Sequence, residues 1–183
     1  DSAAGLQQLG VAQPDWVVGL RSVMRFRWLS LTARADGHFG GSIFSATNLM
    51  GSVAGSLAET AFRPDSGLLI PGLDATTKKA NTTHVTTQDY YHALGNVAEP
   101  WVYSATYFKI REMKVTFAVP TNGFAGLPFS GFSASLVARN VYLHAKAPNI
   151  DPETLLSPYQ FSGIEMGQLP ATKSVGLQIS ITP

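Results

Sequence analysis

Val175, Leu177, Ile179 and Ile181 alternate with Gly176, Gln178, Ser180 and Thr182. A repeat of two gives an extended strand one apolar face and gives a helix none, so this segment reads as a half-buried strand. Met113, Val115, Phe117 and Val119 repeat the pattern against Lys114, Thr116 and Ala118, and Pro120 ends it. Nearer the amino end Met24, Phe26 and Trp28 alternate with Val23, Arg25 and Arg27, and the parity then changes, because Leu29 and Leu31 are the next apolar positions. The change predicts a bulge, or a strand covered on both faces. Phe132 to Ala147 is apolar on both parities and predicts a core strand. A short buried strand is expected at Leu68–Ile70.

Turn formers separate these segments. Asp36-Gly37, Gly40-Gly41, Pro64 to Gly67 and Thr121 to Gly123 read as turns or breaks, and Asp74 to Thr87 reads as an exposed polar loop. Helix signals are few. Thr86 or Thr87 can cap a short helix with Asp89 in its first turn and Gly95 at its end. Asp151, Pro152 and Glu153 predict a second start that Pro158 limits to barely two turns. In Asn48 to Phe62, Leu49, Val53 and Leu57 have helical spacing, but Gly51 and Gly55 would each cost about 1 kcal/mol, so a weakened helix or a loop is expected. The sum is an all-β chain, a jelly-roll-like antiparallel β-sandwich with one or two short helices. Residues 1–15 are expected to form an extended arm and residues 16–183 a single β-sandwich domain.

Composition bounds the function. Of the 183 residues 14% are charged, and the net charge is +1, which supplies no large cationic field. Cysteine is absent, which excludes disulfides and thiolate chemistry. No apolar run is long enough for a spanning helix, and no signal peptide is read, so no membrane contact is expected. The chain opens on Asp1 rather than Met, which reads as a processed or truncated end.

Catalytic patterns are missing as well. Asp89 and His92, three residues apart, read as an exposed helix pair rather than a metal site. Neither Gly40-Gly41-Ser42 nor Phe129-Ser130-Gly131 completes a nucleophile motif, and no phosphate-cradling loop occurs. No enzyme activity, metal or cofactor is expected.

The stretch Thr86 to Pro120 combines a short helix, an aromatic and small-residue segment, then Tyr107-Phe108-Lys109-Ile110 and the strand from Arg111 to Val119. It resembles the region of single jelly-roll coat proteins of small icosahedral viruses where a helix leads into a core strand. The resemblance implies a structural capsid protein that assembles inside the host cell from many copies of itself around genomic nucleic acid. In that reading Arg21, Arg25 and Arg27 touch phosphates without reading bases. The alternative for these arginines is a solvated strand face paired with acids such as Asp36 or Glu112. Phe124, Leu127, Phe129 and Phe132, aromatic and aliphatic residues among glycines and serines, are the expected contacts between copies. A carbohydrate- or receptor-binding β-sandwich is the second functional expectation, with loop aromatics as its contacts.

Overall fold

A computed structural model describes residues 7–74, 76–119, 131–156 and 162–182. Among them the fold is all-β and antiparallel in its main sheet, with two short α-helices, as the alternation predicts. The chain divides into two compact units.

One unit, Val11–Ser42 with Ser104–Thr154 and Leu169–Pro183, holds a five-stranded sheet. Its strands are β1 (Trp16–Phe26), β2 (Leu29–Phe39), β7 (Tyr107–Val119), β8 (Gly131–Ala145) and β10 (Ser174–Thr182), in the order β1-β2-β7-β8-β10, every pair antiparallel. The parity change at Trp28 is a tight hairpin, not a bulge. Phe26 pairs with Leu29, and Arg27 takes a left-handed φ of 51° between them. No Gly or Asn marks that turn, so the usual hairpin signal is missing. Asp36-Gly37 is not a turn either. Both residues lie inside β2, paired to Lys109 and Phe108. The bulge is in β7, where the register shifts around Arg111.

The chain leaves the sheet after Phe39 and re-enters it at Tyr107. Two hydrogen bonds hold the crossing points side by side: Gly40 N donates to the Thr106 hydroxyl Oγ1 and Ala105 N to the Gly41 carbonyl, both at 3.0 Å.

The other unit is built mainly from Ile43–Tyr103 with Leu155–Gln168. Strands β3 (Ser42–Ser45), β6 (Val102–Ser104) and β9 (Ile164–Glu165) form a small sheet in the order β6-β3-β9, and β4 (Leu68–Leu69) pairs with β5 (His84–Val85). Thus the Leu68 strand is two residues long and only half-buried, and part of the expected polar loop pairs with it. Helix α1 (Ala46–Val53) begins at Ser45, whose Oγ accepts from Asn48 N at 3.0 Å. The buried Glu165 carboxylate lies at the same helix start, accepting from Ser45 Oγ at 2.9 Å and Thr47 Oγ1 at 2.5 Å. That is where the helix dipole favours negative charge. Helix α2 (Thr87–Leu94) has Thr86 as its cap and Gly95 at its end. A Cβ on Gly95 would lie 2.6 Å from Val53 Cγ2, so glycine permits the approach of α1 to α2. Ile43, Ala46 and Trp101 are buried in this unit.

Asp151-Pro152-Glu153 starts no helix. The Asp151 side chain accepts from Glu153 N, as a cap would, but its other oxygen is taken by Lys109, and the segment stays a turn.

Candidate functional site

The five-stranded sheet has two chemically opposite faces. Directly paired residues point to the same side of a sheet, so the register defines transverse rows. Met24, Leu31, Val115, Leu136 and Leu177 form one row, and Phe26, Leu29, Phe117, Ala134 and Ile179 another. Between them, on the other face, lies Arg25, Ser30, Thr116, Ser135 and Gln178. A further row on that face reads Arg21, Arg34, Glu112, Arg139 and Ser174. The bulge makes this segregation possible, because Arg111 and Glu112 are adjacent in sequence yet both serve the polar face, after which Met113, Val115 and Phe117 fall on the apolar one.

Burial on this sheet runs against hydrophobicity. On the apolar face Trp16 is 72% exposed, Leu177 71%, Met24 57% and Leu136 53%. On the polar face Tyr107, Lys109 and Ser135 are each 3% exposed. A sheet in water buries its apolar side and solvates the other, so this arrangement requires a covering for the apolar side. Aromatic residues mark both ends of that face: Trp16, Phe39 and Phe108 at one, Phe26, Phe117 and Phe132 at the other. Trp28, in the hairpin turn, stacks on Phe117 with ring centroids 5.6 Å apart. The outer edges of β1 and β10 have no paired strand among the described residues.

The polar face holds an ion cluster of two cations and three carboxylates. Lys109 Nζ donates to Asp151 Oδ2 at 2.7 Å and to Glu153 Oε2 at 2.5 Å. Arg111 forms a fork on each of two carboxylates, with Nη1 and Nη2 on Glu153 at 2.6 and 2.5 Å and with Nε and Nη2 on Asp36. These bonds fasten the turn after β8 onto β7 and β2. Hydrogen bonds from Arg111, reinforced by Lys109, hold the Glu153 carboxyl down to about 2, and bonds to Asp36 and Glu153 raise Arg111. Burial pushes the Tyr107 hydroxyl beside the cluster up to about 12.

Because the folded state lowers the Glu153 pKa, this group contributes stability that is fully present above its ordinary value of 4.5 and lost as pH falls through about 2. Glu153→Gln should therefore destabilise the protein at neutral pH, and the difference from wild type should vanish near pH 2 in acid-unfolding curves. A difference independent of pH would assign Glu153 no role through its charge.

Of the expected nucleic-acid contacts, Arg21 and Arg25 lie exposed on the polar face, and Arg27 lies in the hairpin turn, its guanidinium 5.7 Å from the centre of the Phe26 ring. Asp36 and Glu112 pair with Arg111 and Arg139 instead of these arginines. Phe132 is on the apolar face, paired with Val119 and Ile181. Phe124, Leu127 and Phe129 lie outside the described residues. Sequence reading missed the Lys109–Asp151–Glu153–Arg111–Asp36 cluster. Its only signal was the spacing of Lys109 and Arg111 along one strand, and their acids come from distant segments. Among the described residues no group of three or more His, Asp or Glu side chains is placed to hold a metal, and no helix is long and apolar enough to cross a membrane.

No family model and no curated relative matches the sequence. Solved structures do share the fold. The RagAB peptide importer in its closed-closed state superposes with a TM-score of 0.60 over 92% of this chain at 17% identity, and its open-open state with 0.58 over 93%, also at 17%. The structure of the RagAB peptide transporter gives 0.56 over 92% at 17% identity. This chain spans only 17% of the length of each of those chains.

Proposed function

We propose that the five-stranded sheet is a section of the wall of a membrane-spanning β-barrel, and that the protein carrying it moves peptide solutes across a bilayer. The inverted burial of the inner strands carries the reading: their apolar face is exposed, while Tyr107, Lys109 and Ser135 on the polar face of β7 and β8 are buried. A transmembrane barrel needs an outward apolar band about 25 Å tall, aromatic girdles at both interfaces and a polar interior. From Trp16 to Phe26 a strand advances about 33 Å, which at a tilt near 40° is about 25 Å of height. The aromatic ends of the apolar face lie at that separation. Open edges at β1 and β10 are a liability in water and the joining sites of a barrel. The likeness to a peptide importer supports the transport reading and suggests peptides as the cargo. The expectation of no membrane contact gives way to lipid in this reading.

A self-assembling coat would instead put further copies of the chain against the same apolar face. One experiment separates the two. This chain has no cysteine, so single cysteines placed at Leu177, Gln178, Ile179 and Ser180 in the full-length protein, with any cysteine outside this chain replaced, can each be labelled with a fluorophore. In native membranes, lipid-borne quenchers should extinguish the labels at 177 and 179, while labels at 178 and 180 stay accessible to aqueous quenchers. Closed particles with no lipid quenching would replace the barrel with the coat, and equal aqueous access at all four positions would rule out both.

A further inference from the structure

The unit built around Ile43–Tyr103 contains a cleft of about 450 Å³ between the end of α1 and the first turn of α2. Val53, Gly55, Arg63, Asp65, Thr87 and Tyr91 are among its lining residues. Arg63 is held in place by the backbone: Nε donates to Thr60 O at 3.0 Å and Nη2 to Gly55 O at 3.2 Å. Gly55 has a φ of +68°, and a Cβ there would lie 2.7 Å from Arg63 Nη2, so the glycine makes room for the guanidinium. Those two bonds use one edge of a group with five donors and leave Nη1 uncommitted. Among the described residues Arg63 has no carboxylate partner and Asp65, two residues on, has no cation. A fixed guanidinium has already lost its rotamer freedom and binds an anion at lower entropic cost than a free one. The cleft thus presents a preset cation and an unpaired carboxylate, with the apolar Val53 and the Tyr91 ring on the same lining.

We infer that this cleft binds a small zwitterion of about dipeptide size, its carboxylate on Arg63 and its ammonium on Asp65. A carboxylate meets an arginine edge through two parallel bonds, and a volume of this order is at the lower end of small-ligand sites. The inference stands on this unit alone and does not depend on where the five-stranded sheet resides.

Calorimetric titration of the full-length protein with alanyl-alanine, its carboxyl-terminal amide and its N-acetyl form tests it. The zwitterion should bind saturably and at least about tenfold tighter than either blocked form, the ratio expected from losing one charge-assisted contact. Arg63→Gln should lower affinity for the zwitterion at least about tenfold. That variant also removes two bonds to the backbone, so its thermal unfolding is compared with wild type. Asp65→Asn touches no such bond. It should leave the unfolding temperature unchanged and erase the difference between the zwitterion and its N-acetyl form. No saturation up to about 10 mM, equal affinity for the three probes, or a difference that survives Asp65→Asn would overturn the assignment.

Discussion

Asp151→Ala should destabilise the protein by about 3–5 kcal/mol. The substitution leaves Lys109, 3% exposed, with the half-solvated Glu153 as its one remaining carboxylate among the described residues and the Tyr107 ring 5.3 Å away. Most of the loss comes from stranding a buried cation, not from the strength of the pair itself. The replacement of both residues makes the point: Lys109→Met with Asp151→Leu removes the charges together and should recover most of the loss. Urea unfolding of wild type, the single and the double variant reads the difference. A single variant within about 0.5 kcal/mol of wild type would mean that water reaches Lys109 and that the cluster does not hold the turn.

If the apolar face meets lipid, as proposed, Met113→Arg should cost about 2–4 kcal/mol in a bilayer. Met113 lies near the middle of the apolar face, in the row of Ser22, Ala33, Ala138 and Val175. It is far from either aromatic end, so an arginine there cannot easily reach the headgroups. Ser180→Arg, on the opposite face and paired with Ser133, should be within about 0.5 kcal/mol of wild type. Unfolding from lipid vesicles measures both. If the apolar face meets other copies of the chain, Met113→Arg should yield a folded monomer that no longer assembles. If the face meets only water, both substitutions should be near neutral.

What the sequence revealed and what it hid divide along a physical line. Local signals were reliable: the cap at Thr86, the stop at Gly95 and the alternation of β10 all depend on neighbours within a few residues. Each strand's apolar face was also legible. What faces it was not, because alternation records only that one side avoids water, and a protein core, a second copy and a lipid phase satisfy it equally. The hairpin at Arg27 lacked the glycine or asparagine that such turns favour, so its parity change resembled a bulge. Asp36-Gly37 has turn chemistry, yet Arg111 holds the Asp36 carboxylate in the sheet and two strands flank the pair, so tertiary contacts outweigh the local preference. Asp151 has the residue type of a helix cap, and the buried lysine recruits it instead. Both misreadings involve acids of the same cluster, whose partners are distant in sequence.

The paired crossing points beside Gly40 and Thr106 make the sheet indifferent to what lies between them. Loop closure grows only with the logarithm of length, about 0.6 kcal/mol per doubling, and here the closure is already secured by bonds at the base. The sheet should therefore tolerate exchange of the Ile43–Tyr103 excursion, together with the Leu155–Gln168 segment that packs in the same unit, for a longer, shorter or unrelated segment with ends that meet. A frame of this kind separates inheritance of the scaffold from inheritance of specificity, so that one can stay constant while the other diverges.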